Sequence, residues 1–406
     1  MSLASSDAAL HPHRWAMLAG VWMVYFCFGA TAAAIAPLVS QITRDLGLSH
    51  TQMGSVLGAW QFVYIGAAIP CGALLDRLGP RRGLALGALV VALSGILRGL
   101  ASDYLSLLLA VGVFGIGGPL VSVGAPKVIS EWFEGRERGL AMGIYNVGQA
   151  LGTICALLLS SSIGLELAGG DWRKVLIFAG FVALAAALGW TLVSNHSASR
   201  MQERRQRGAP AQRQRHVFLE LLRSPALRTV LYLALGTFFF GHALTNWLPE
   251  ILRFGGMDIA SAGLWASVPV VIGIGGALLF PRLAIPSRRM TILAGLFAAQ
   301  MAAPLLINWG TSGALVAGLL CQGLARGSLS IIVVLVLMEL REVDSARMGA
   351  AAGLYFTAGE IGGVLGPLTI GTLYDVTGNF SAALDALAAL CLWQLLLLSR
   401  LRLALR

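Results

Sequence analysis

Residues 72–82 read Gly72-Ala73-Leu74-Leu75-Asp76-Arg77-Leu78-Gly79-Pro80-Arg81-Arg82, and apolar stretches of helical length flank them at 51–75 and 83–101. A Gly-Pro turn carrying three arginines between two such stretches reads as the tight loop that joins neighbouring membrane helices. Gly72 would let helices approach closely. Asp76 could accept hydrogen bonds from a facing helix N-terminus, and Arg77, Arg81 and Arg82 could pair with acidic residues on adjoining helix ends. Together these residues would latch one membrane face shut. The corresponding stretch later in the chain, 281–289, keeps Arg288 and Arg289 but has no aspartate, so such a latch is asymmetric.

The rest of the 406 residues has the same character. Mean hydropathy is +0.78 and 57% of residues are hydrophobic. Only 12% are charged, against about 25% in an ordinary soluble domain. About 20 apolar residues cross a bilayer once. Twelve such stretches fall near 15–37, 51–75, 83–101, 104–131, 137–164, 173–194, 227–252, 260–280, 289–307, 312–338, 347–373 and 379–400. The expected fold is an all-α polytopic membrane protein of twelve transmembrane helices in two six-helix bundles. Fifty glycines suit it, because small residues let membrane helices pack closely where lipid supplies little hydrophobic drive. Gly117 with Gly118 and Gly362 with Gly363 are expected packing surfaces. Cys27, Cys71, Cys155, Cys321 and Cys391 all fall inside apolar stretches without metal-ligand spacing, so no metal or cofactor is expected.

The +10 net charge maps onto loops. Arg200, Arg204, Arg205, Arg207, Arg213, Arg215 and Arg223 lie between Asn195 and Pro225, facing only Glu203 and Glu220. Further basic clusters at Arg77, Arg81 and Arg82, at Arg136 and Arg138, and at Arg282, Arg288 and Arg289 fall on the same side of a twelve-span count. The opposite loops carry Asp103, Glu166, Asp171, Glu250 and Asp258. The positive-inside rule then sets both termini in the cytoplasm and explains the basic balance without nucleic acid. The expected organisation is a cytoplasmic tail at 1–14, a six-helix bundle at 15–194, a cytoplasmic linker at 195–225, a second bundle at 226–400 and a short tail at 401–406.

The two halves repeat. Aligning 139–152 with 349–362 sets Gly139, Ala141, Gly143, Tyr145 and Gly152 on Gly349, Ala351, Gly353, Tyr355 and Gly362, while Phe28, Gly29 and Pro37 match Phe240, Gly241 and Pro249. The loop at 72–82 resembles the G-x-L-x-D-R-x-G-R-R pattern between the second and third spans of the major facilitator superfamily, with Pro80 in place of the usual polar residue. The span count, linker and repeat carry that resemblance over the whole chain. It implies a secondary transporter with its substrate site between the halves at mid-membrane, working by alternating access. The stretch from Gly115 and Gly118 through Glu131, Trp132 and Phe133 to Arg138, Gly139, Leu140 and Ala141 is similar to the superfamily's anion-handling branches: cyanate and nitroimidazole permeases, nitrate and nitrite carriers, and oxalate–formate exchangers. The fourth span lacks the mid-membrane arginine of the drug–proton antiporter pattern, which lowers the case for multidrug efflux.

Candidate chemistry centres on Arg326, about 20 Å of helical rise from Glu339 and about 25 Å from Trp309. A mid-bilayer guanidinium costs roughly 3 kcal/mol even on lenient scales and usually marks a substrate or ion route. Gln322, Arg326 and Ser330 share a helix face, and the guanidinium's fixed donors suit a carboxylate or planar oxyanion. Glu360, at similar depth, could instead pair with Arg326, or carry a coupling proton. His242, near Asn246 and Trp247, is a second candidate for substrate binding or proton relay. Tyr25, Tyr145, Asn146, Gln149 and Tyr355 are expected at an apolar pocket with a few orienting groups. Lys127 and Glu131, four residues apart, form a candidate gate pair, with attraction of anions into the inner vestibule by Lys127 as the alternative. Arg98 is expected to snorkel outward, toward Asp103, or to receive anions at the outer mouth.

No zinc constellation, nucleophile elbow or phosphate-binding glycine loop is legible, so enzyme and ATP-driven pump readings fare poorly. The expected function is secondary transport of a small organic or inorganic anion, carboxylate-type, coupled to protons or exchange, by a monomer in the cell inner membrane. Its partners are lipid, the anionic small molecule and protons. The alternatives are export of a drug-like or metabolite substrate, and a membrane receptor without transport.

Overall fold

The computed structural model describes residues 12–199, 220–340, 342–343 and 347–404. The linker arginines Arg200, Arg204, Arg205, Arg207, Arg213 and Arg215, most of the expected N-terminal tail, the last two residues of the C-terminal one, and the side chain of Arg136 lie outside the described residues. Fourteen helices are described: α1 His13–Ala33, α2 Val39–Leu46, α3 His50–Leu78, α4 Pro80–Gly99, α5 Tyr104–Trp132, α6 Gly135–Leu159, α7 Ile163–Leu167, α8 Trp172–Ser194, α9 Pro225–Phe254, α10 Ile259–Leu283, α11 Arg289–Trp309, α12 Ser312–Met338, α13 Met348–Thr377 and α14 Ser381–Ala404. Twelve are long and two, α2 and α7, are short. Eleven stretches are apolar and long enough to cross a membrane by length and composition. The twelfth long helix, α13, is 30 residues long but is diluted by glycine, Glu360 and polar side chains.

Helix starts follow from the residues before them. Asp103 and Ser106 form a reciprocal cap on α5: the Asp103 carboxylate accepts from the Ser106 backbone N–H at 2.8 Å and the Ser106 hydroxyl oxygen accepts from the Asp103 N–H at 3.1 Å. Asp258 accepts from the Ser261 N–H at 3.0 Å at the start of α10. These bonds hold both carboxyls below the usual carboxylate range, because they favour the charged form. Between α3 and α4, Gly79 has φ 82° and ψ 159°, a region that only glycine occupies readily. Pro80 follows at the first position of α4, where a missing N–H costs nothing. Pro80 thus pre-sets the helix start.

Contacts divide the chain into two compact units: Met1–Leu46 with Ala59–Ala211, and Gly47–Gly58 with Gln212–Arg406. In the first, Val21, Phe28, Leu84, Phe114, Val121 and Trp190 form the buried core of α1, α4, α5 and α8. The Trp190 indole donates to the Arg81 carbonyl at 3.0 Å. In the second, Leu227, Leu233, Phe297, Leu329, Ile332 and Leu401 play that part. A buried amide network joins α11, α14 and α9: Gln300 donates to Gln394 at 3.4 Å, and Gln394 donates to the Leu233 carbonyl at 3.3 Å and to Thr237 at 3.2 Å.

The repeat is visible where backbones cross. A Cβ on Gly152 of α6 would collide with the Phe26 carbonyl of α1, and one on Gly362 of α13 would collide with the Leu235 carbonyl of α9. These aligned glycines therefore occupy matching helix crossings in the two units. Gly117 and Gly118 also pack as expected, against the Gly87 carbonyl and the Tyr64 ring.

Candidate functional site

In the second unit, α12 carries Arg326 at its centre. The side-chain stem passes Gly273 of α10, where an added Cβ would come within 3.8 Å of Cδ, and the partly buried guanidinium donates through Nη1 to the Thr245 hydroxyl of α9. Thr245 passes the bond on to the Gly241 carbonyl at 2.6 Å. His242 lies one turn before Thr245 on α9 and edges the Phe238 ring at 6.0 Å. No ion pair joins Arg326 to Glu360 among the described residues, which corrects the internal-pair alternative. Thr245, a neutral hydroxyl, takes the contact, so the positive charge is not cancelled by a carboxylate. Glu360 is 7% exposed and its Oε2 has no hydrogen-bond partner.

The stripe of Gln322, Arg326 and Ser330 is shared less evenly than its spacing suggests. Gln322 is buried at 3%, with Oε1 unpartnered, so it carries an unused acceptor next to the guanidinium's turn. Ser330 is occupied: the Tyr355 hydroxyl of α13 donates to its carbonyl at 3.2 Å and lies 3.4 Å from its Oγ. Tyr355 is fully buried against Phe238. It ties α13 to α12 instead of offering a free polar tip. Asn246 likewise spends its amide on the His242 carbonyl at 2.9 Å, because an asparagine inside a helix satisfies the backbone one turn behind it.

In the first unit an aromatic group forms around Ser122 of α5. The Tyr64 and Ser122 hydroxyls are 2.8 Å apart, the Tyr25 hydroxyl lies 3.5 Å from the Ser122 carbonyl, and Tyr25 meets Tyr145 edge to face at 4.7 Å. Trp60 packs edge to face on Phe114 and Tyr64. Tyr25 and Tyr145 are each 5% exposed. Asn146 is exposed but donates to the Met142 carbonyl at 2.9 Å, and Gln149 lends its backbone carbonyl to the close approach of Gly29. The sequence reading missed Tyr64, Ser122, Trp60 and Thr245. Thr245 was findable, lying three residues after His242 and so on the same face.

The loop motif takes a different form from the expected one. Asp76 accepts from the Lys127 ammonium of α5 at 2.5 Å, not from a helix N-terminus, and Lys127 reaches across helices to it instead of pairing with Glu131 on its own helix. Both side chains are about half exposed, so the pair positions more than it stabilises. Gly72 faces open space, with nothing within 4 Å of an added Cβ, and so supports no close approach. Arg81 donates to the Asn195 side chain at 2.5 Å. Arg138 caps the end of α5 by donating to the carbonyls of Phe133 at 2.9 Å and Ser130 at 3.2 Å, satisfying acceptors a helix end leaves open. Arg77 and Arg82 are exposed. The second unit has its own ion pair at the matching level, Arg289 with Glu339. Arg98 is turned inward: it is 1% exposed, donates to the Thr31 carbonyl at 2.5 Å and lies over the Phe114 ring at 5.3 Å. Its long stem follows the packed helices, so it does not snorkel toward Asp103.

The Major Facilitator Superfamily model matches residues 21–367. The chain is 28% identical to the probable L-galactonate transporter of Escherichia coli strain K12, covering 84% of this chain and 79% of the relative. It is 26% identical to the hexuronate transporter of the same organism, covering 94% of each, and 28% identical to a quinolone resistance transporter of Acinetobacter baumannii, covering 90% and 91%. Among solved structures, a mutant of the nucleoside transporter NupG is similar with a TM-score of 0.77 at 13% identity, covering 95% of this chain and 99% of that one. A match over this much of the sequence, on helices of this number and length, makes the chain a multi-pass membrane transporter of the Major Facilitator Superfamily.

Proposed function

We propose that the chain is a secondary carrier of a small hydroxylated carboxylate, working by alternating access with both termini in the cytoplasm of a cell whose inner membrane it spans. One observation carries the reading: Arg326, at the centre of α12, is contacted by a hydroxyl and, among the described residues, by no carboxylate. A partly buried guanidinium held that way is ready for a planar anion, which would bring both counter-charge and paired acceptors. Gln322, with an unused acceptor, is suited to a substrate hydroxyl. Relatives named for galactonate and hexuronate transport support a sugar-acid substrate. Glu360, buried with one oxygen unpartnered, is the group proposed to take up the coupling proton.

The test is counterflow in proteoliposomes loaded with aldonates, hexuronates, simple carboxylates or inorganic anions. Wild-type protein should exchange a sugar acid and Arg326→Ala should not. Equal exchange by the variant would remove Arg326 from the site. Export of a drug-like substrate is the second reading, favoured by the Acinetobacter relative. Quinolone accumulation in inverted vesicles without sugar-acid counterflow would select it.

A further inference from the structure

The Arg326 side chain is held at both ends. Its stem passes a close approach of α10 to α12, where a Cβ on Gly327 would collide with the Gly273 carbonyl and one on Gly323 with the Ile272 side chain. Cδ lies 3.8 Å from where a Cβ on Gly273 would stand, so the stem runs along the bare backbone of α10. At the tip, Nη1 donates to the Thr245 hydroxyl of α9. A hydroxyl has one proton to give. Thr245 donates it to the Gly241 carbonyl at 2.6 Å, the bond a threonine inside a helix makes to the turn behind it. Toward any other group Thr245 can therefore only accept. It has no proton for an anion, and its lone pairs repel one arriving on that side.

The donors of the guanidinium are thus divided. Nη1 is engaged with Thr245, while Nε and Nη2 make no hydrogen bond among the described residues. The same two atoms of Arg98 are also without a partner, but there they are sealed inside the first unit, whereas those of Arg326 are not. The N–H bonds of Nε and Nη2 run parallel along one edge of the planar group, two donors spaced for the two oxygens of a carboxylate. A sulfonate carries three oxygens on a tetrahedral centre and gains from a third donor. The next one in line, Nη1, is already taken. We propose that Thr245 is a specificity-determining residue: by holding Nη1 it presents the Nε and Nη2 edge of Arg326 to a carboxylate and disfavours a sulfonate on the same carbon skeleton. Thr245 acts through Arg326 as a positioning residue, and its assignment rests on the carrier reading above.

The experiment uses full-length protein in proteoliposomes and follows counterflow of labelled gluconate or glucuronate against two competitors, hydracrylate and isethionate, hydroxyethyl acids that differ only in carrying a carboxylate or a sulfonate. Hydracrylate should inhibit wild type at about tenfold lower concentration than isethionate, the step set by one added charge-assisted bond in the better-fitting head. Thr245→Val keeps the shape and removes the hydroxyl. It should raise the half-saturation concentration about fivefold, the usual effect of one lost hydrogen bond, and leave the maximal rate within about twofold. The two competitors should become nearly equal in potency, because the freed Nη1 can then serve a third oxygen. Thr245→Ser, which restores the hydroxyl without the methyl group, should recover both the half-saturation concentration and the preference. An unchanged preference in the valine variant, with or without a change in half-saturation, would overturn the specificity role. Failure of the serine variant to recover it would assign the effect to packing of the methyl group and overturn it equally. Exchange of neither acid by wild type, or full exchange by Arg326→Ala, would withdraw the carrier reading and this assignment with it, an outcome distinct from a failure at Thr245 alone.

Discussion

Arg326 shows how a single side chain can be both anchored and unsatisfied. One guanidinium nitrogen is fixed by Thr245, which in turn leans on the Gly241 carbonyl, so the fork is aimed without its charge being neutralised. A bond to a charged group contributes about 1.5–3 kcal/mol, so Arg326→Gln should raise the half-saturation concentration for counterflow about 10- to 100-fold. Arg326→Lys should recover only part of it, since an ammonium cannot present a two-pronged face. Identical kinetics for the lysine variant would show that charge alone is used. Tyr355 gives the opposite expectation. Its hydroxyl is committed to Ser330, so Tyr355→Phe should cost about 1 kcal/mol of stability in a denaturation series while transport stays close to wild type. A transport loss as large as that of Arg326→Gln would instead put the tyrosine on the substrate.

Among the elements, the helix crossings carry the repeat more faithfully than the loops do. Gly152 and Gly362 each sit against a carbonyl of the first span of their unit, so Gly152→Leu or Gly362→Leu should force the helices apart and lower the thermal unfolding midpoint by several degrees, whereas Gly143→Leu, beside open space, should not. Equal effects at all three would mean that the aligned glycines serve backbone flexibility and not packing. Helix starts make a pH-dependent claim. The Asp258 carboxyl is held below its usual range by the Ser261 bonds, so the cap's contribution is present above the unfolded value and is lost as pH falls through the depressed one. Asp258→Ala should therefore be less stable than wild type at pH 7, and the two melting curves should converge as the pH is lowered through that region. Much at this scale was readable beforehand, since apolar length sets where a span lies. The expected and observed limits of the tenth span coincide at 312–338, because Thr311 caps its start and Glu339 ends it. The first span was less legible: the chain continues past Ala33 through a turn into α2, whose polar Arg44 and Asp45 hid the extra helix from a hydropathy reading.

At the scale of the whole molecule, the features that hydropathy reads worst are those a transporter needs most. α13, the long helix that falls short of membrane-span apolarity, carries both Glu360 and the glycine of a helix crossing, because a buried carboxyl and close packing each displace leucine and valine. The sequence could rank Arg326, Glu360 and His242 by depth, but not which neighbour each would meet. Spacing along one helix carries no information about the helix opposite, so Lys127 with Asp76 and Arg326 with Thr245 were open until the packing was known. If Glu360 takes the coupling proton, its role is separable from substrate binding. Glu360→Gln keeps the shape and removes the titration. The variant should then exchange substrate across equal concentrations at a rate near wild type, yet fail to accumulate it when the vesicle interior is made alkaline. Measured as labelled sugar-acid counterflow and as gradient-driven uptake in the same vesicle preparation, retention of both activities would move the proton to another residue, and loss of both would return Glu360 to a structural part in holding α13.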